Sequence, residues 1–192
     1  MKGILFSEPM FKAVIEVRKT KTRRKLIQQP IEKRNDNGEL IFWQNLAKPR
    51  YKVGETVYIK EPYYFATTQA GSDTNGIIFK FDGCSERFKW IPALLLPEKY
   101  ARYFIEITAV RCERVQDISD EDCLKEGIIK WCENSFTFEI NTDLTKKGGV
   151  KSTAITNKTP QLAYARLFDK INRKGALESN LYVWVYSFKL KI

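Results

Sequence analysis

Between Arg18 and Lys25 the chain reads R-K-T-K-T-R-R-K, six cations and two threonines in eight residues. No other stretch constrains a fold as strongly, because neighbouring like charges repel one another and raise the free energy of any compact state that holds them. A folded chain that keeps such a run is expected to bring an anion to it. The six charges make up over half of the formal net charge of +10, so the basic excess is local. Alternation through Lys19, Thr20, Lys21, Thr22 and Arg23 permits an extended strand, with Lys19, Lys21 and Arg23 on one face and both threonines on the other.

A helix signal precedes the run. Ser7, Glu8 and Pro9 supply a capping hydroxyl, an acid and a proline in a first turn. Met10, Phe11, Val14, Ile15 and Val17 then recur at helical spacing, which predicts a helix from Glu8 to Val17 with one buried face. The cations follow its C-terminus, where carbonyl dipoles favour them. From Lys25 to Tyr51 prolines, glycine and asparagines break the pattern into loops around one hairpin that ends in Ile41, Phe42 and Trp43. Val53-Gly54-Glu55 is a turn that launches a strand to Lys60. Thr67 to Asn75 is polar and turn-like, Gly76 to Phe81 reads as a strand, and Tyr103 to Val115 is the longest strand candidate.

Ser119 with Asp120, Glu121 and Asp122 starts a short helix that Gly127 ends, with Glu126 in its last turn. Thr142 to Thr159 is expected to be a flexible insertion. Thr159-Pro160 caps a helix to Asn172 whose inward residues are expected to be Leu162, Ala163, Leu167, Phe168 and Ile171, and Tyr182 to Leu190 is a closing strand. This order predicts an α+β architecture, a small curved or barrel-like sheet with helices across its openings.

Composition removes several classes of function. With 192 residues, 43% of them hydrophobic, the chain suits one domain with a real core. The pI near 9.4 and 13% aromatic residues suit a protein that meets phosphates and flat bases. No apolar run approaches the roughly 20 residues that span a bilayer, and Met1 to Phe6 is too short for a secretory core, so a cytoplasmic protein without a membrane partner is expected. Cys84, Cys112, Cys123 and Cys132 form no C-x-x-C pair and the chain has no histidine, so neither a metal nor a cofactor is expected and the thiols are read as reduced and structural. The missing histidine also excludes Ser-His-Asp and Cys-His mechanisms. Catalysis, if present, falls to Lys, Glu, Asp, Thr, Tyr or Cys.

Four segments in order, K-T-K-T-R-R at Lys19–Arg24, V-G-E-T-V-Y-I-K-E at Val53–Glu61, the run from Arg102 to Ile128 that contains D-I-S-D-E-D-C-L-K-E-G-I, and Y-V-W-V-Y-S-F-K at Tyr182–Lys189, resemble an ASCH domain of the phage and prophage type, within the PUA-like superfamily. The resemblance runs from Lys2 to Lys189 and implies a single PUA-like (ASCH) small β-barrel with flanking helices, with insertions near 28–50, 66–90 and 129–160. Val17 stands where such domains carry glycine before R-K-T, and this chain lacks the histidine they tend to have near Leu95. The resemblance implies binding of RNA or a modified nucleoside. It also implies an alternative, a metal-free amidohydrolase that deacylates N4-acetylcytidine through a Lys, Thr and Glu set, which by position falls on Lys19, Thr22 and Glu126.

Amide hydrolysis without metal or histidine needs a nucleophile and a group to take its proton. Thr22 supplies a hydroxyl. A free lysine titrates near ~10.4 and is a poor base at neutral pH, but like charge and desolvation both disfavour its protonated form. Arg18, Lys21, Arg23 and Arg24 flank Lys19 and are expected to depress it. Glu126 would relay the proton or bind the cytosine edge, and Arg23 or Arg24 would hold a phosphate or an oxyanion. Strand alternation puts Lys19 and Thr22 on opposite faces unless a turn or bulge intervenes.

Ligand contacts are expected from Arg18, Lys21, Arg23, Arg24, Lys60, Glu61 and Tyr63, with Tyr64 and Trp90 as further stacking surfaces. The expected cleft lies between the basic segment, the strand ending at Lys60-Glu61 and the helix from Ser119 to Glu126. Trp184, between Val183 and Val185, is assigned to the core, and Cys123 is excluded as a nucleophile for want of an activator. Against these stand plainer readings: a solvated basic face, Glu126 as an exposed helix-end carboxylate, Lys60-Glu61 as a surface pair, and a basic face that binds another protein.

Overall fold

The structure is a computed structural model that describes residues 1–44, 46–66, 76–82, 88–138, 141–144, 150–153 and 155–191. The chain begins with β1 (Lys2–Leu5), α1 (Glu8–Ile15) and β2 (Lys21–Lys25), followed by a hairpin of β3 (Ile31–Arg34) and β4 (Leu40–Gln44). Next come β5 (Thr56–Lys60), a hairpin of β6 (Tyr63–Ala66) and β7 (Gly76–Phe79), and the long β8 (Phe104–Arg114). The short helix α2 (Asp120–Lys125) leads into two more hairpins, β9 (Ile129–Cys132) with β10 (Ser135–Thr137) and β11 (Asn141–Leu144) with β12 (Val150–Thr153). Helix α3 (Pro160–Asn172) and strand β13 (Tyr182–Lys191) complete the fold.

Five strands form one sheet in the order β1-β5-β8-β13-β2, giving a mixed α+β architecture. β1 runs parallel to β5, and the other three pairings are antiparallel. Tyr186 of β13 sits between Val110 of β8 and Thr22 of β2, so the basic segment is an edge strand. Among the described residues no ladder joins β1 to β2, and the sheet is open along that seam. Arg24 crosses it, its guanidinium donating to the Leu5 carbonyl at 2.6 Å.

Two apolar clusters lie on opposite faces of β13, as the pleat requires. Val183 and Val185 pack with Cys123 of α2 and with Ala163, Tyr164, Leu167 and Phe168 of α3. Tyr186 and, past a register shift at Ser187, Phe188 pack with Val57, Ile59, Ile105 and Ile107. Helix α1 joins both, with Met10 in the first cluster and Phe11 and Val14 in the second.

The helix signals hold at their starts and differ in detail. Ser119 Oγ accepts from the Asp122 N–H at 3.2 Å, and Thr159 Oγ1 accepts from the Leu162 N–H at 3.2 Å. Ser7 makes no side-chain cap, and the first helix stops at Ile15 rather than Val17. Val17 has left the helix with φ at 59°, its N–H bonding the Val14 carbonyl while the Arg18 N–H bonds the Ala13 carbonyl. That pair of bonds is a Schellman ending with valine in the left-handed position. In α3, Leu162 and Ile171 are exposed and Tyr164 takes the inward place, because the buried stripe turns toward α2 and β13. The stretch read as a flexible insertion contains the β11–β12 ladder; its residues 145–149 and 154, like Thr67–Asn75 and Cys84, lie outside the described residues. Among the described residues no helix is long and apolar enough to cross a membrane.

Candidate functional site

The anions that meet the basic run are internal. Arg23, with its side chain 1% exposed, donates through Nε and Nη2 to Glu113 at 2.9 and 2.6 Å, through Nη2 to Asp122 at 2.8 Å, and through Nη1 to Glu126 at 3.1 Å. Lys21 pairs with Asp122, and Arg111 of β8 bonds both Glu113 and Asp122. Asp122 and Glu126 are four residues apart, which puts them on one face of the α2 turn, and that face lies against β2. Burial would raise the Asp122 carboxyl, but hydrogen bonds from Lys21, Arg23 and Arg111 outweigh it and hold the group well below the usual carboxylate range. Arg23 is held above its ordinary value because Glu126, Glu113 and Asp122 outweigh the effect of burial. The network ties α2 to the edge strand, and buried guanidinium groups hold several carboxylates at once better than lysine does.

Lys19 sits apart from that network's centre. It is 3% exposed, and its Nζ donates to the Glu126 carbonyl at 2.7 Å and to Glu126 Oε2 at 2.6 Å. Burial lowers its pKa below the ordinary lysine value, against the opposing pull of Glu126, with Arg24 and Arg23 adding a smaller lowering. Desolvation, rather than the flanking charges, is therefore the main cause. Arg18 is not among the groups that dominate there; it is exposed and pairs with Glu16. Glu126 is itself 3% exposed, so it is not a solvated helix-end carboxylate.

Lys19, Thr22, Arg23, Arg24 and Glu126 line one cavity of about 280 Å³, closed on its far side by Tyr164 and other residues of α3. Lys19 precedes β2, so the strand pleat does not fix its direction, and the edge strand is reached from both faces. The opposite-face difficulty therefore falls away. The Thr22 hydroxyl makes no hydrogen bond among the described residues, while Lys19 is held by Glu126. Arg23 has its donors committed to carboxylates, which leaves Arg24 as the guanidinium free to meet a ligand in this cavity.

No family model, curated protein or solved structure matches this chain.

The expected single cleft is two cavities. A larger one of about 540 Å³ carries Lys60, and among the described residues only Arg24 and Leu5 line both. The remaining expected ligand residues fall elsewhere. Lys21 is engaged by Asp122 and lines neither cavity. Glu61 faces away from Lys60 and is wholly buried against Arg102, which donates to it at 3.0 and 2.7 Å. Tyr63 is a core residue packed with Phe79 and Leu96, and Tyr64 stacks on Phe88. Trp184, assigned to the core, is half-buried and lines the larger cavity. The sequence does not mark Tyr164 or Arg50 as a site residue: Tyr164 looks like one more helix-face aromatic, and Arg50 lies in a stretch without periodicity. For Asp122 and Glu126 a signal existed, since a four-residue spacing of acids beside a basic strand predicts one shared ionic face.

Proposed function

We propose that this chain is an ASCH-type, PUA-like protein of the cytoplasm that binds a modified nucleoside, alone or in RNA, with the base in the smaller cavity. The observation that carries the reading is the convergence of Lys19, Thr22 and Glu126 on one cavity of about 280 Å³. That volume is near the lower end, about 300 Å³, of small-molecule sites, as suits a single base. Two further features support it. Val17 adopts a left-handed conformation at the position where the resembled domains carry glycine. The open five-stranded sheet, with Arg24 crossing its seam, is the part of the fold that we read as the PUA-like barrel.

A second reading is favoured by one specific observation, the lowered pKa of buried Lys19, which lines one cavity with a threonine hydroxyl that has no hydrogen bond among the described residues. In it the site deacylates an N4-acylated cytosine. Neutral Lys19 takes the Thr22 proton as the oxygen bonds to the acyl carbon, and Glu126 holds the resulting ammonium. The C–N4 bond then breaks, the proton passes to N4, and water hydrolyses the Thr22 ester to release the carboxylate. Arg24 is the donor available to the oxyanion.

Purified protein is incubated with N4-acetylcytidine or cytidine, and both the thermal midpoint and cytidine release are followed. A midpoint raised by the acetylated nucleoside supports binding, and no shift with either overturns it. Release by the wild type that disappears in Lys19→Arg and Thr22→Val supports deacylation, because arginine cannot serve as a neutral base and valine keeps the shape of threonine without its hydroxyl. Binding without release leaves recognition as the function.

A further inference from the structure

We infer that the larger cavity is a phosphate subsite, so that the ligand is a nucleotide whose base lies in the smaller cavity and whose phosphate lies among Arg24, Lys25, Lys48, Arg50 and Lys60. This rests on the base site proposed above. Those five cations line the cavity, and no carboxylate among the described residues does. None of the five has a carboxylate partner among the described residues, in contrast to Lys21, Arg23 and Arg111 close by. Cations gathered around a concave wall repel one another and focus a positive potential into it.

Solvation accounts for exposed Lys25, Lys48 and Arg50, but not for the two half-buried members, Arg24 and Lys60. Arg24 and Lys60 are anchored on neutral carbonyls, of Leu5 and Leu94, each at 2.6 Å. The wall is also built to keep Lys60 in place. A Cβ at Gly3 would lie 2.4 Å from Lys60 Cε and 2.8 Å from the Tyr58 ring, so the lysine stem crosses β1 where only glycine leaves room. Arg50 is positioned through its backbone N–H, which donates to the Tyr186 hydroxyl at 3.0 Å, while the Tyr51 hydroxyl donates to the Gly3 carbonyl at 3.0 Å. The indole N–H of Trp184, another lining residue, is buried without an acceptor among the described residues. The charged side chains supply donors, which is the chemistry of a site for phosphate oxygens.

Continuity selects a nucleotide over a separate anion. Arg24 and Leu5 line both cavities, so the hydrogen bond between them stands on the shared boundary. A nucleoside seated against Lys19 and Thr22 extends its sugar past that boundary toward the cations. A phosphate monoester of a free nucleotide and a phosphodiester of RNA present the same oxygens there.

The test uses binding at low salt, read by calorimetry and by tryptophan fluorescence, with Trp184→Phe to assign the optical signal. Probes are N4-acetylcytidine, its 5′-monophosphate, inorganic pyrophosphate, and a short oligoribonucleotide with one central N4-acetylcytidine. The monophosphate is expected to bind tighter than the nucleoside by about tenfold or more, as one or two charge-assisted contacts allow. Lys48→Gln with Arg50→Gln, both at exposed positions outside the base site, should erase that preference and leave nucleoside affinity unchanged. Gly3→Ala should weaken monophosphate binding through Lys60.

Pyrophosphate binding that the double variant abolishes, with no nucleoside binding, keeps the subsite and removes the base reading. Equal affinity for nucleoside and monophosphate, with pyrophosphate silent, overturns the subsite and leaves the base reading standing. Tighter oligoribonucleotide binding, with a salt slope that drops in the double variant, assigns the phosphate to RNA, and no gain over the mononucleotide assigns it to a free nucleotide.

Discussion

Val17→Gly should stabilise this protein. Val17 ends α1 in the left-handed region at φ 59°, and its N–H and that of Arg18 close the helix on Val14 and Ala13. For an L-residue that conformation costs roughly 1–2 kcal/mol through the clash of Cβ with the following carbonyl, and a β-branched side chain sits at the upper end. Glycine removes the clash, but its unfolded chain is freer, which returns about 0.4–1 kcal/mol. The side chain is 61% exposed, so little apolar burial is lost. The net gain is about 1 kcal/mol, or about 2–4 °C in thermal midpoint for a chain of this size. Urea melts at constant m-value and a thermal scan measure it, with Val17→Ala as control, since alanine keeps a Cβ and should recover only part. An unchanged or lowered midpoint, or an alanine variant that gains as much as glycine, would refute the claim that the left-handed backbone is the source of strain.

Glu126→Gln removes the charge that faces both Lys19 and Arg23 in a buried setting, and should lower stability by about 3 kcal/mol, read as a drop of roughly 6–12 °C in midpoint. Asp122 has its folded pKa depressed, so its stabilisation is complete above the unfolded value near ~3.9 and is lost as pH falls below it; urea midpoints between neutral and acid pH should fall there, and Asp122→Asn should flatten the fall. Lys19 has its folded pKa lowered, so the folded protein releases that proton first and its contribution to stability grows as pH rises toward ~10.4; Lys19→Met should remove this growth from the alkaline limb of the same curve. Burial pushes the Cys123 thiol up to about 12 and that of Cys112 to about 11, whereas Cys132 is exposed. Alkylation at mildly alkaline pH should label Cys132 in the native protein, and mass spectrometry should find Cys123 modified only after unfolding.

What the chain disclosed in advance follows the range of the interactions involved. The caps at Ser119 and Thr159, the edges of β8 and β13 and the end of α2 at Gly127 rest on neighbours in sequence, and they were legible, whereas Ser7 begins its helix without a side-chain cap. The trio Lys19, Thr22 and Glu126 came from matched positions, and the structure brings all three to one cavity. Contacts set by distant pairing were not legible. Glu113 lies on β8, and only the β8-β13-β2 order brings it to Arg23, so no local pattern marks it as a partner of the basic run. The larger cavity is hidden for the same reason. Its wall draws on β1, β2 and the residues just after it, β5, β13, the segment ending at Tyr51 and the turn at Leu94, six places distant in sequence. Tyr63 shows the converse error, because a tyrosine beside prolines looks like a loop surface until the Leu96 and Phe79 side chains cover it.

The basic run is thus divided by position. Arg18 belongs to the helix end, where it meets Glu16. Lys21 and Arg23 are absorbed by Asp122, Glu113 and Glu126 and fasten α2 to an edge strand that would otherwise lack a covering element on that side. Lys19 is neutralised by one carboxylate and desolvated, which makes it a different chemical group from its neighbours. Among the described residues only Arg24 and Lys25 of the run remain without a paired carboxylate, and both line the larger cavity. The external anion proposed above would therefore have two cations of the run to meet rather than six, beside Lys48, Arg50 and Lys60. The pairing of Lys21 and Arg23 with the acids of β8 and α2 thus decides which end of the basic strand keeps unpaired cations among the described residues.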